Sequence, residues 1–482
     1  MKTLVLTTLA LVLSVSVCLG QAETGAISYQ ELSYQFLGTG ARAMAMGDAF
    51  VGLANDVSGG SWNPAGIYLL EKAIISGSYN SFNPDGEMSE AWPLWEIRHS
   101  TTSNLKINSI GGFSLAVPAR IKGHPWVFNI QYSRNNERSF NTTFKGNLES
   151  GLDPDSYDED ISYLQGYGFG ATTRLYKQLS FGFLINVYDG RRLKVSQSAD
   201  VRDSIMNPVY PDITMEVYRS FRFEDTTYSN GVNFTLGLMY KLEKFSLGAV
   251  LRTPFVMMNN TDRYYYASTT YNGLPSVNET FNIIWADSLA KQDIPLAFAF
   301  GVGITPTEDL TFVIDADYCQ YGQANWYYRD STRFDAGGAR EDFYTKQPID
   351  WNNTFGIGGG AEYVISTSAG RIPLRAGFRH NQLASPKNLA QVLIPILDDD
   401  GYIDGFISNF TASERQSNFS FSFGSGIHWS RVYLDFSYRR TTGGDRSINY
   451  YMRDLDTDVL LTTRDIKGKA QEFRFTLTGF IN

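Results

Sequence analysis

Leu37 to Leu70 reads LGTGARAMAMGDAFVGLANDVSGGSWNPAGIYLL, a stretch dominated by small residues, with glycine at 38, 40, 47, 52, 59, 60 and 66. Ala, Met and Leu prevail between Arg42 and Ala54, which predicts a short helix there. The glycines that follow open backbone angles closed to other residues, so the chain should continue as a compact, turn-rich wrap. Asn63-Pro64 is a turn initiator in its own right. From Lys72 onward the pattern changes in kind, to long alternation of apolar and polar positions. A compact knot ahead of a long β pattern predicts a plug in front of a barrel.

Working outward towards the start, residues 1 to about 22 have the form of a secretory signal peptide. Lys2 supplies the positive charge, Leu4 to Val17 the apolar run, and small residues precede a cleavage point near Gly20 or Ala22. Cleavage would remove Cys18 and leave Cys319, a single thiol that cannot close an internal disulfide. Beyond the signal there is no apolar run of transmembrane-helix length. The aromatic content of 14% in an exported chain instead suits a β-barrel with aromatic girdles. The net charge of −9 is spread along the chain, and no basic patch offers itself to nucleic acid.

Working outward in the other direction, period-two alternation recurs. Trp126, Phe128, Ile130 and Tyr132 oppose Val127, Asn129, Gln131 and Ser133, and Phe419, Phe421, Phe423, Ile427 and Trp429 oppose Asn418, Ser420, Ser422 and His428. Strands are predicted at 72–82, 107–118, 125–134, 162–175, 179–195, 229–242, 245–252, 294–304, 310–320, 352–364, 371–380, 417–429, 431–440 and 470–481. That makes fourteen, an even number. Alternation alone does not separate a soluble sandwich from a membrane barrel, because only the destination of the apolar face differs. The connections do separate them: short ones at 176–178, 243–244, 305–309 and 430 alternate with long ones at 196–228, 253–293, 321–351, 381–416 and 441–469. Short periplasmic turns set against long external loops are the asymmetry of outer-membrane barrels. The expected fold is therefore all-β, a fourteen-stranded antiparallel transmembrane barrel over residues 71–482, with residues 23–70 as a hatch in its lumen.

The segment ARAMAMGDAFVGLANDVSGGSWNPAGI resembles the N-terminal hatch of the FadL family of outer-membrane channels for long-chain fatty acids and other hydrophobic molecules, with the family's Asn-Pro-Ala element on Asn63, Pro64 and Ala65. LGAVLRTP (247–254), PLAFAFGVGITPTEDLTFVIDADY (295–318) and the Gly-Ala-Glu-Tyr and Leu-Arg-Ala-Gly strands beyond them are similar to the same family. The hatch also resembles that of PorV-type barrels, which serve type IX protein secretion. The family resemblance implies passive uptake by a channel: a hydrophobe such as a fatty acid is captured among external loops and passes a movable hatch made of Arg42, Asp48, Asp56, Asn63, Pro64, Ala65 and Gly66. The PorV likeness implies the alternative, a binding partner that shuttles secreted proteins. Either way the expected surroundings are outer-membrane lipid and the barrel assembly machinery, with the protein as a monomer and no cofactor or metal. The family's lateral exit depends on a kinked early strand. Trp126 to Arg134 has no Gly or Pro, so Gly111-Gly112 is the expected bend.

Four scattered histidines and the absence of a nucleophile elbow, zinc helix or phosphate loop argue against an enzyme. His428 near Asp435 reads as a lumen-facing polar pair. If Phe312, Ile314 and Tyr318 face lipid, parity turns Asp315 and Asp317 inward, and likewise Glu362, Arg375, Arg379, Asp435 and Arg439. Such charges are tolerable only when paired. They form either a structural ladder or the wall that holds the hatch. For the ligand, the apolar run Pro254, Phe255, Val256, Met257 and Met258, with Ile283, Ile284 and Trp285, is the expected loop contact.

Overall fold

The computed structural model describes residues 38–481, except for 85, 93–96, 104–105, 145–154, 207–213, 272–277, 335–339, 349–350, 385–390, 398–402, 412–416, 444–445 and 455–456. The expected signal peptide at 1–22 lies outside the described residues. Fourteen strands form the barrel. The first seven are β1 (Ala73–Pro84), β2 (Ile107–Ile121), β3 (His124–Phe144), β4 (Asp155–Tyr176), β5 (Leu179–Met206), β6 (Thr214–Lys241) and β7 (Phe245–Arg252). The others are β8 (Ala297–Thr307), β9 (Leu310–Cys319), β10 (Thr354–Thr367), β11 (Gly370–Gln382), β12 (Ser417–His428), β13 (Val432–Gly443) and β14 (Lys469–Ile481). Each pairs antiparallel with its neighbour in chain order. β1 pairs with β14 from Ala73↔Ile481 to Pro84↔Ala470, which closes the ring and leaves no edge.

Side-chain direction follows the period of two. On β9, Phe312 and Ile314 are exposed while Thr311, Val313 and Asp315 are buried. On β14, Phe473, Phe475 and Leu477 point out and Glu472, Arg474 and Thr476 point in. Moving one such apolar side chain out of water is worth about 1.5–3 kcal/mol, so the lipid takes the part that a core plays in a soluble sheet. No helix among the described residues is long and apolar enough to cross a membrane. The crossing is made by strands alone.

Three expectations need correction. The helix predicted over Arg42 to Ala54 is confined to α1, Ala41–Ala45. Gly47 and Asp48 both take positive φ and end it, with Gly47 N donating to Met44 O and Asp48 N to Ala43 O, the paired bonds of a Schellman turn. Second, the long connections are largely strand. β5 and β6 stay paired out to Met206↔Thr214. The segments Phe255–Tyr271, Asn278–Ile294, Asn325–Phe334 and Arg340–Pro348 continue the barrel sheet beyond β6. Six more strands, drawn from 86–103, 391–411 and 446–467, form a separate sheet. Third, the run after Pro254 is a strand and not a loop, so its side chains alternate: Phe255 and Met257 are buried, whereas Val256 and Met258 point outward at 45% and 40% exposure. Ile283, Ile284 and Trp285 fall on the strand opposite, in register with Tyr265, Tyr264 and Arg263, and their side chains lie outside the described residues.

β2 carries a bulge. Ser78 pairs with Gly112 and Tyr79 with Ile110, so Gly111 is the extra residue, and it sits against the Asn80 side chain. β3 is regular from Trp126 to Arg134, and its register shifts only between Asn135 and Arg138.

Candidate functional site in the barrel lumen

The chain between Gly38 and Leu70 lies inside the ring. After α1 come two 3-10 turns, Val57–Ser61 and Pro64–Leu69. Asp56 caps the first by accepting from Ser58 N at 2.9 Å. Asn63 caps the second by accepting from Ala65 N at 3.1 Å, and Pro64 occupies its first position, where no amide hydrogen is missed. Phe50 and Trp62, edge to face at 6.4 Å, give the segment a small core of its own, shared with Met239 and Val313 of the wall.

Two different kinds of contact hold this inner segment. Towards β9–β14 they are largely ionic. Arg42 grips Glu362 with Nη2–Oε1 at 2.7 Å and Nε–Oε2 at 2.9 Å, and also reaches Asp56 at 3.3 Å. Burial alone would lower the Arg42 pKa, but Glu362 and Asp56 outweigh it and hold the guanidinium above its ordinary value, fully charged. Glu362 also accepts from Arg375 Nε at 2.6 Å, Arg375 reaches Asp435 at 2.6 Å, and His428 Nε2 meets that same Asp435 oxygen at 2.9 Å. Arg439 bridges Asp48 and Glu472, and Arg379 pairs with Asp317. Asp315 takes another partner: its carboxylate accepts the backbone N–H groups of Val51 and Gly52. Thus all seven charges turned inward by parity lie on this wall. Arg42 and Asp48 make direct ionic contact with it, and Asp56 binds within the segment.

Towards β4–β7 the contacts run mostly through neutral side chains; the charged exceptions are Arg252 of β7, which donates to Ser61 O at 3.2 Å, and Arg174 of β4, which lies over the Tyr68 ring at 5.4 Å. Asn63 Nδ2 donates to Val51 O at 3.1 Å and to Leu238 O at 3.0 Å, tying the turn both to its own segment and to β6. Thr172 Oγ1 donates to Pro64 O, and Ser180 Oγ to Ala65 O at 2.9 Å. Ser246 Oγ donates to Gly52 O at 2.6 Å. Asn63 and Ala65 are fully buried, and Gly66 is pressed against the backbone of Ala54. Sequence reading missed Glu472 and Arg474 on β14, although they alternate with Phe473 and Phe475; Arg474 donates to Gly38 O at 3.3 Å. It also missed the hydroxyl donors, which alternation marks only as inward and small.

Beyond the segment lies an apolar cluster that runs from Val51 through Val250, Tyr188 and Phe255 to Tyr321 and Trp351. Phe255 stacks on Tyr188 at 5.3 Å, and Tyr321 meets Trp351 at 5.8 Å. Of the expected ligand contacts, Phe255 and Met257 belong to this cluster, while Val256 and Met258 face away from it.

A protein-family profile described as outer membrane protein transport protein (OMPP1/FadL/TodX) matches residues 15–423. No curated protein matches the sequence. Among solved structures, the chain is similar to a Pseudomonas aeruginosa FadL homologue, at 15% identity and a TM-score of 0.56 over 92% of this chain and 98% of that one. It is also similar to the P. putida toluene transporter TodX, at 12% identity and a TM-score of 0.57 over 93% and 100%. The Ralstonia pickettii toluene transporter TbuX aligns at 12% identity and a TM-score of 0.51 over 92% and 99%.

Proposed function

This chain belongs to the outer membrane protein transport family (OMPP1/FadL/TodX), and on that premise we propose that it is a passive channel for long-chain fatty acids or other hydrophobic molecules. The observation that carries the reading is the lumen filling. The inner segment adds no strand to the ring, is held on two sides by side chains, and joins through Val51 an apolar cluster whose aromatics, Tyr188, Phe255, Tyr321 and Trp351, come from the surrounding chain. A hydrophobe gathered at that cluster descends when the segment shifts, so Arg42, Asp48, Asp56, Asn63, Pro64, Ala65 and Gly66 act as a hatch. The inward side chains of Asp315, Asp317, Glu362, Arg375, Arg379, Asp435 and Arg439 form the wall it rests on. The His428–Asp435 pair belongs to this ladder and to no catalytic site. The barrel closes within one chain, which supports a monomer folded by the barrel assembly machinery.

The test is uptake of a hydrophobic tracer by intact cells. Ala65 is fully buried, with its carbonyl bound to Ser180, so Ala65→Arg has to dislodge the turn. The expected result is altered tracer flux per molecule of protein at normal surface level. Flux equal to the parent's would show that the segment is a filler and not a gate.

A further inference from the structure

Gln292 is a buried group that the channel reading leaves without a task. It lies near the end of the strand Asn278–Ile294 and is 0% exposed. Its cross-strand neighbours are Met257 on one side and Trp326 on the other, both buried. Neither Nε2 nor Oε1 has a hydrogen-bond partner among the described residues. The diagonal neighbour Asn259 already accepts from Ser229 Oγ at 2.6 Å. A primary amide brings two donors and an acceptor oxygen. Sealed and unpaired, it carries a standing cost that an apolar side chain of the same shape would not.

The surroundings say what would satisfy it. Met257 and Ile294 belong to the apolar cluster above the inner segment, where Phe255 lies flat on Tyr188. Gln292 is therefore a neutral polar point at the border of an aromatic, apolar region. Met257, with its flexible thioether, is the neighbour best able to yield room. An amide is uncharged and both donates and accepts, so it complements a group that does the same.

We propose that Gln292 reads the polar group of the transported molecule, and that the preferred ligand is a hydrophobe carrying one neutral hydrogen-bonding group, such as a hydroxyl or carboxamide. Its apolar body sits among Tyr188, Phe255, Met257 and Trp326. The inference rests on the channel reading and narrows its substrate class.

The test compares 4-methylphenol with 1,4-dimethylbenzene, which differ by a hydroxyl in place of a methyl. Binding to the purified full chain is measured by calorimetry, with affinities corrected for partition into the detergent. The parent should prefer the phenol by about 10-fold. Gln292→Leu and Gln292→Met should both erase the preference by weakening the phenol alone. Both variants should keep the parent's heat-modifiable gel shift, and having two guards against a misfit of either. Equal binding of the two compounds by the parent, or a preference that survives in both variants, overturns this proposal and leaves the channel reading standing. Binding of neither compound overturns the two together.

Discussion

Glu362 accepts from two guanidiniums at once, Arg42 of the inner segment and Arg375 of its own wall. The two ways of breaking the pair are therefore unequal. Arg42→Met leaves Glu362 paired with Arg375, and Asp56, part-exposed, turns to water. Glu362→Gln leaves two buried cations against a neutral amide, and removing one partner of a buried pair costs about 3–5 kcal/mol. The expected outcome is a lower midpoint of thermal unfolding for Glu362→Gln than for Arg42→Met, read as loss of the compact gel form on heating. Equal midpoints would mean that Arg375 draws its stability elsewhere. At this scale the inward charges were legible because alternation fixes direction once one aromatic on the strand is assigned to lipid. Their partners were not. Asp315 serves the backbone of Val51 and Gly52, and a backbone N–H leaves no mark in a sequence.

Where the helix end meets the wall, the elements touch through backbone. Gly360 and Gly377 of β10 and β11 face Met46 and Gly47 so closely that a Cβ on either would strike main-chain atoms. A large residue there has nowhere to turn, yet the ladder around Gly377 uses only its N–H and C=O. Gly377→Leu should thus expel the end of α1 and leave the barrel closed: tracer flux rises severalfold while the heat-modifiable gel shift persists. Loss of the gel shift would show that the segment and the wall fold as one unit. The fourteen barrel strands could be read from sequence to within a few residues at their periplasmic ends, because lipid imposes an apolar face there. Their outer halves could not. A strand wet on both sides has no apolar face, so the extensions of β5 and β6 look like loop. α1 was overextended because Ala and Met favour helix, whereas two successive left-handed residues at Gly47 and Asp48 end it.

At the scale of the molecule, the ring closes through β1 and β14 without any contribution from residues 38–70. The parent should migrate faster unheated than boiled, since a closed barrel resists detergent. Removal of residues 38–70 with residues 1–37 kept should leave that shift in place and give the highest tracer flux of any variant. A deletion protein that runs identically before and after boiling would show that closure needs the segment. The fold as a whole was visible from one fact, the sorting of short and long connections, which a soluble sandwich has no reason to keep.

The contacts of the inner segment also set an order in time. Ala41 N–H binds Thr476 Oγ1 across 435 positions, and Arg42 binds Glu362 across 320. The part of the chain synthesised and exported early is held by the part that arrives last, and the long span makes its docking entropically late. The segment's contacts on β14 form only once that strand is in place beside β1, so its complete burial reports that the ring is complete. A protease added during assembly should cut residues 38–70 until the last strand joins and spare them afterwards. An unfinished barrel thereby exposes a glycine-rich, degradable stretch at its own start.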